Sequence, residues 1–333
     1  MDLLMVNPLD NLVHVAVVIC TRYRPPGVKR TLNSILAGRP APSLIVIVDQ
    51  ADSSSFDHLQ EFDGRPGVLR LRQDGSGLSR ARNAGTAAAA AAGASIAAYT
   101  DDDCEVDPGW LAGLEAALAM APDVALAFGT TRAANHDHHQ GTIPAYTVTK
   151  NAIHRGLASK PHVEGMGACM ALRVEAWKSI GGFDDHLGAG TPLAAAEEND
   201  LSMRLLRGGS AVAETPSAEV IHHGFRNRFE TGSLVAGYMR GSGAVAAKML
   251  RIGGLPALQA LRTIGKRWIS GRSGVEMGHL TARRVRLWHF IKGMGSGFAL
   301  ALDSHTGRFA PPKESWDLLQ KMANSYSNPW KTK

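Results

Sequence analysis

This 333-residue chain predicts an α/β fold: a mainly parallel sheet covered by helices on both faces, followed by a C-terminal helical extension. Three observations carry that expectation. The apolar runs of the first half are short and continuous, helical patterns separate them, and beyond Gly224 the composition turns helical, basic and glycine-punctuated. A strand that is apolar at every position must be buried on both faces, and a parallel sheet with helical crossovers is the arrangement that buries it.

Taken in order, "HVAVVICT" (14–21) reads as the first strand and 26–37 as the helix after it. "SLIVIVDQ" (43–50) is the second strand, a polar helix follows near 54–62, and "GVLRLRQD" (67–74) is the third strand. A helix from Ser79 to Ala92 leads into the strand "SIAAYTDDD" (95–103). The run "TAAAAAAGASIAA" has the look of low complexity, yet alanine is the best helix former and the run continues "SRARN" without a break, so it reads as a close-packed helix. From Asp107 the pattern is less regular. It gives a helix at 109–120, the strand "VALAFGT" (124–130), a polar loop through "NHDHHQG", the strand "GACMALR" (167–173), helices near 174–180 and 196–208, and a short strand at "SAEVIHHGFR" (217–226). No internal repeat is visible.

With 44% apolar residues the chain is an ordinary globular protein and not a disordered one. Its net charge of +6 hides a division: residues 1–223 carry 18 Lys+Arg against 25 Asp+Glu, whereas 224–333 carry 18 against 5, a local balance of +13. Cys20, Cys104 and Cys169 stand far apart without a C-x-x-C pair, which fits a reducing compartment. No Lys or Arg precedes the first apolar stretch and no run reaches the roughly 18 apolar residues of a membrane helix, so a cytoplasmic protein without a spanning segment is expected.

In a parallel α/β sheet the ligand sits beyond the carboxyl ends of the strands. Asp49 and the triplet Asp101, Asp102 and Asp103 occupy such ends. Three adjacent carboxylates repel one another unless a cation lies among them, and a hard divalent ion such as Mg²⁺ or Mn²⁺, holding a diphosphate, suits oxygen donors of this kind. A solvated acidic turn capping the helix after Pro108 is the plain alternative. The loop histidines His136, His138 and His139 lack a partner cluster and read as a solvated loop. "DGSGLSRARNAG" has Arg80 where a dinucleotide fingerprint has its third glycine and follows the third strand, so it is not one.

Six segments in succession, "VICTRYRP" (18–25), "VDQAD" (48–52), "GLSRARNAG" (77–85), the aspartate triplet, "GGFDDHLG" (181–188) and "AEENDLSMRLLRGG" (196–209), resemble the family 2 glycosyltransferases of the GT-A fold over about residues 14–223. The resemblance implies transfer of a sugar from a nucleotide diphosphate, UDP first, to a glycan, polysaccharide or lipid-linked acceptor, with inversion and a divalent metal, in a catalytic domain 1–223 whose nucleotide half is 14–105 and acceptor half 106–223. It places Thr21, Arg22, Arg24, Asp49, Arg80 and Asn83 around the nucleotide together with Asp101 and Asp102. Asp103 becomes the metal ligand, with Asp101 converging on it as residue i to i+2 of an extended segment. His222, or its neighbour His223, completes the metal shell. Arg82 stands beside Arg80 as a further cation.

In "AEENDL" the family's second acid is the acceptor's base; here that position is Glu198, one methylene longer than the usual Asp, which leaves Glu197 as the alternative. Gly167, in "GMGACMALRVEAWKSIGGFDD", and the pair Asp184 and Asp185 fall on the acceptor side, with Cys169 in place of the family's usual Asn. The basic region 224–333, where "RTIGKRW" (262–268) and "ARRVRLWHFIKGMGSGF" (282–298) interleave Arg and Lys with Trp268, Trp288, Phe290 and Ile291, suits either peripheral contact with an anionic membrane or packing on the catalytic domain. Nucleic acid is a poor fit because no recognised module accompanies the charge. A sugar-nucleotide nucleotidyltransferase needs a glycine-rich phosphate loop that "CTRYRPPG" does not supply. A non-catalytic nucleotide-sugar binder of the same fold is countered by intact Asp103, Glu198 and His222.

Overall fold

The computed structural model describes residues 15–51, 56–269 and 283–310. In chain order residues 15–106 supply β1 (Val15–Thr21), α1 (Pro25–Ala37), β2 (Leu44–Asp49), β3 (Val68–Arg72), α2 (Leu78–Ala91), β4 (Ile96–Asp101) and β5 (Cys104–Val106). Residues 110–227 add α3 (Trp110–Leu118), β6 (Val124–Ala133), β7 (Gly141–Thr142), β8 (Ala152–Arg155), β9 (Met170–Arg173), α4 (Val174–Ser179), α5 (Glu197–Arg207), β10 (Ala211–His222) and β11 (Arg226–Asn227). Among the described residues three further helices follow: α6 (Arg228–Ile252), α7 (Gly254–Ile269) and α8 (Arg283–Ala299). The polar helix expected near 54–62 begins outside the described residues and is a 3₁₀ helix over Phe56–Phe62.

Strand order is β3-β2-β1-β4-β9-β6-β10-β5, with β8 also on β10, while β11 and β7 form a small separate ribbon. β3, β2, β1 and β4 are parallel, as the continuous apolar runs require. β9 runs antiparallel to both β4 and β6, which gives those two the same sense, and β10 is parallel to β6. The carboxyl ends of β1, β2, β4 and β10, carrying Thr21, Asp49, Asp101 and His222, therefore share one edge of the sheet.

Alternation along β1 divides the core. Val15, Val17 and Ile19 enter one apolar layer with Leu32, Trp110 and Leu114, and Ala16 and Val18 enter the other with Ala81, Ala84, Ala88 and Phe183. The alanine run is indeed a packed helix: a Cβ on Gly85 would collide with Val18, so α2 reaches the sheet only because its inner face is small.

The helices after β10 share an interior with the elements before it. α6 starts at a capping box in which Asn227 accepts from Phe229 N–H and Glu230 N–H while Glu230 accepts from Asn227 N–H. About one turn before its end, Lys248 is fully buried. Its ammonium donates to Asp184 (2.5 Å) and Asp200 (2.6 Å), and Asp200 also accepts from Arg204 (2.7 Å). Asp184 further accepts from Phe309 N–H (2.6 Å), and Asp185 accepts from Arg308 (2.9 Å). These contacts correct the acceptor-side expectation for Asp184 and Asp185: both carboxylates are turned inward, onto cations delivered by the C-terminal region. The charge of Lys248, with hydrogen bonds from His186 and Phe309, overrides burial and holds Asp184 well below the usual carboxylate range. Leu157, Leu187, Leu193, Met203, Val245, Met249 and Phe309 pack as one apolar cluster around this anchor. The side chain of Trp268, like residues 270–282 and 311–333, lies outside the described residues. Among the described residues no helix is long and apolar enough to cross a membrane.

Removal of one member of a buried, hydrogen-bonded ion network leaves its partners charged and dry. Lys248→Met should lower unfolding free energy by about 3–5 kcal/mol in urea titrations. Lys29→Ala, which breaks an exposed pair with Glu61, should change it by less than about 1 kcal/mol.

Candidate active site

Two arginines lie among the three carboxylates. β4 ends at Asp101, and Asp102 and Asp103 form a tight turn into β5, so the triplet is not the extended segment that would bring Asp101 and Asp103 together. The turn is pinned from α1. Thr31 donates to the Cys104 carbonyl (2.6 Å), and a Cβ at Gly27 would collide with the Asp102 carbonyl. Asp102, buried, accepts from the Thr21 hydroxyl (2.7 Å) and from Arg24 (3.2 Å). Asp103 accepts from the same Arg24 nitrogen at 2.9 Å. Asp101 faces the other way and accepts from Arg82 (3.1 Å). Burial pushes the Asp102 carboxyl up to about 6, against the pull of Thr21 and Arg24.

His222 stands across from Cys104 in the antiparallel pair of β10 and β5. Its Nδ1–H donates to the Pro144 carbonyl (2.8 Å), which leaves Nε2 facing Asp103 Oδ1 at 3.2 Å. Burial opposes charge on both groups, but each stabilises the other's ion: Asp103 sits below the ordinary carboxylate value and His222 above the ordinary imidazole value. Ligand atoms of Asp103, Cys104 and His222 all lie within 4.8 Å of one another. His223 instead lies 3.4 Å from Glu105, away from this group. The arrangement fits a divalent ion on two counts. A carbonyl holds the far nitrogen of His222, the usual way an imidazole ligand is oriented. Position 224 is a glycine, where a Cβ would stand 2.5 Å from His222 Nε2 and 2.8 Å from Asp103 Oδ2. Asp101 is outside the group because Arg82 holds it.

Arg82 ties the two halves together. Its guanidinium, 2% exposed, donates to Glu197 Oε1 (2.8 Å) as well as to Asp101, and these anions raise its pKa despite burial. Gly167 is part of this seat: a Cβ there would stand 2.6 Å from both terminal nitrogens of Arg82. Glu197 and Glu198 open α5, preceded by Ala194 and Ala196 at φ 65° and 71°, left-handed conformations that cost an alanine about 1 kcal/mol or more. Glu197 is held by Arg82. Burial pushes Glu198 up to about 8, the neighbouring Glu197 charge adds to the rise, and Arg82 opposes it. Helix α6 covers this turn, since Gly237 lies against Ala194 and Gly241 against Ala195 and Ala196. Between those glycines, Tyr238 has its phenol raised above the ordinary value by burial and by the charges of Glu198, Glu197 and Asp101.

Other expected residues are placed differently. Asn83 does not face a nucleotide: its amide donates to the Phe183 carbonyl and Asp185 and accepts from Trp177 Nε1–H and Phe183 N–H, locking α2 to the glycine turn at 181–183. Asp49 is fully buried, and its Oδ1 accepts from Ala51 N–H. Arg22 is exposed, 5.4 Å from the Tyr23 ring. Arg80 lies half-buried under the loop at Asp74 and Gly75. His136 bonds the Ala134 carbonyl and lies tilted against His138, ring centroids 4.1 Å apart, and the loop histidines join no metal cluster among the described residues. Lys248 and Tyr238 were missed. A single lysine within "GAVAAKML" was the available signal for Lys248, because a charge amid small apolar helix positions implies a buried partner.

Residues 16–181 match the model of the family described as glycosyl transferase family 2. The chain is 25% identical over 243 residues to the glucosyl-dolichyl phosphate glucuronosyltransferase of Haloferax volcanii, over 66% of this chain and 72% of that one. Its fold is similar to S. aureus TarS 1–349 in complex with UDP-GlcNAc (TM-score 0.60, 13% identity, 85% of this chain and 80% of that chain). It is also similar to the mannosyltransferase PcManGT from Pyrobaculum calidifontis in complex with GDP-Man and Mn²⁺ (TM-score 0.53, 14% identity, 85% and 86%).

Glu198→Gln tests the electrostatics of the α5 terminus independently of turnover. An acid whose folded pKa is raised from 4.5 to about 8 binds a proton in the folded state that the unfolded chain has lost. Its contribution to stability is therefore fully present below pH 4.5, declines as pH rises, and is gone by about pH 8. The melting temperature of Glu198→Gln relative to the parent should rise steadily across that window and level off above it; a difference independent of pH would mean that Glu198 titrates normally.

Proposed function

Because this chain belongs to the family 2 glycosyltransferases and has their GT-A fold, we propose that it transfers a sugar from a nucleoside diphosphate, UDP first, to a hydroxyl of a lipid-linked glycan, with inversion and with a divalent metal. The observation that carries the reading is the division of labour between adjacent glutamates. Glu197 is neutralised by Arg82, whereas Glu198 lies within the field of the buried Lys160 but accepts no hydrogen bond from a cation among the described residues, and burial pushes its pKa up to about 8. A base of that strength matches the task of taking a hydroxyl proton near neutral pH.

In this reading Asp103 and His222, with Cys104 adjoining, would hold Mn²⁺ or Mg²⁺, which when bound neutralises the diphosphate and makes it a better leaving group. Thr21 and Arg24 fix Asp102 and so the turn that presents Asp103. Arg82 keeps Asp101 at the donor and Glu197 at the head of α5, and Gly167 leaves room for that guanidinium. The acceptor hydroxyl loses its proton to Glu198 as its oxygen attacks the anomeric carbon, and the bond from that carbon to the diphosphate oxygen breaks on the opposite face. Asp184 and Asp185 support the site from within. The curated relative's name, which specifies a dolichyl phosphate-linked substrate, favours a lipid-linked acceptor met at a membrane surface. TarS bound to UDP-GlcNAc is in keeping with UDP, and PcManGT bound to GDP-Man makes GDP the second candidate.

Two variants separate the functions. Asp103→Ala should abolish the Mn²⁺-dependent rise in melting temperature produced by UDP, while the metal-free protein still melts cooperatively at a modestly lower temperature because His222 and Arg24 lose their partner. Glu198→Gln should keep donor binding and lose about 10²–10⁴ in transfer rate, and Glu198→Asp should retain more activity than the Gln variant. Parental turnover by Glu198→Gln together with loss in Glu197→Gln would assign the base to Glu197.

A further inference from the structure

We propose that the outer face of α8 docks on the surface of an anionic membrane. The inner face of this helix is closed: Gly293 lies on the backbone of Arg240 and Gly297 on Ala244 and Ala247, and a Cβ at either position would collide with α6. The opposite face is open. Leu287, Trp288, Ile291 and Phe298 are 49%, 56%, 51% and 51% exposed. At 3.6 residues per turn they occupy an arc of about 100° turned away from α6.

Charge selects the occupant. Arg283, Arg284 and Lys292 are exposed on or beside that arc, and residues 283–300 contain no Asp or Glu. Large apolar side chains set among bases, with a balance of +13 over 224–333 behind them, match a surface whose headgroups are anionic and whose interior is hydrocarbon. Trp288, with the Lys292 ammonium 4.8 Å from its ring centroid, is the residue type that settles at the headgroup level.

The placement also gives docking a use. Arg240 faces Gly293 and Ala244 faces Gly297, so α8 runs parallel to α6 and its N-terminal end is level with the first half of α6. That half follows directly on the His222 strand and carries Tyr238 beside the α5 glutamates. Phe229, 86% exposed between Arg228 and Glu230, begins it. Docking stands on the surface alone; its purpose, delivery of a lipid-linked acceptor to Glu198, rests on the glycosyltransferase reading.

Sedimentation of the full chain with vesicles tests this. It should bind phosphatidylcholine vesicles containing phosphatidylglycerol, bind pure phosphatidylcholine at least about tenfold less, and weaken steeply from low to physiological salt. Ile291→Glu should reduce binding to the mixed vesicles by about tenfold or more while leaving the melting temperature and its response to UDP and Mn²⁺ unchanged. Failure of the donor reading would show only in that response, failure of docking only in the sedimentation. Equal partitioning onto neutral vesicles, no binding to either, or undiminished binding of Ile291→Glu would overturn the proposal. So would a solution dimer that Ile291→Glu disperses, which would give the face to a second copy of the chain.

Discussion

One buried cation, the Arg82 guanidinium, holds the site in register. It lies at the inner end of α2 with Asp101 on one side and Glu197 on the other, and the latter is 115 residues away in the chain. A guanidinium taken out of water needs both anions, and each anion needs it, so the end of β4 and the head of α5 are fixed relative to one another. The surrounding positions accommodate the group. Gly167 lacks the atom that would strike it, and the Phe183 ring lies 5.7 Å from its carbon. Because Arg82 binds Glu197 and not Glu198, two adjacent acids of the same chemical type acquire different properties.

A second buried cation, Lys248, does for the C-terminal helices what Arg82 does for the two halves. By joining Asp184 and Asp200 it seats α6 across the start of α5. Dynamics should follow the same division. The region around Lys248 is dense in buried charge pairs and small residues, whereas α8 touches the body mainly through its glycine face on α6 and leaves its other side in solvent.

The strands were legible because burial on both faces leaves an unbroken apolar run, and the site's edge was legible because carboxylates and a histidine end those runs. What escaped the sequence was pairing at long range. Asp184 and Asp185 look like acceptor residues until Lys248 and Arg308 are placed beside them, 64 and 123 positions later. Asn83 looks like a nucleotide contact until Trp177, Phe183 and Asp185 take up its amide. Asp101 and Asp103 were expected to converge because period-two alternation assumes a strand. The chain turns at Asp102, held there by Thr31 and Gly27, and a turn rotates the carboxylates apart.

The pH dependence of kcat/KM for sugar transfer at saturating donor and metal tests the account most directly. With Arg82 holding Glu197 as an ion pair and Glu198 left as the base, the rate should rise on the acid side through one ionisation well above 4.5 and near 8, and Arg82→Gln should move that limb upward because the lowering charge is gone. A limb in the ordinary carboxylate range, unmoved by Arg82→Gln, would contradict the assignment of the two glutamates.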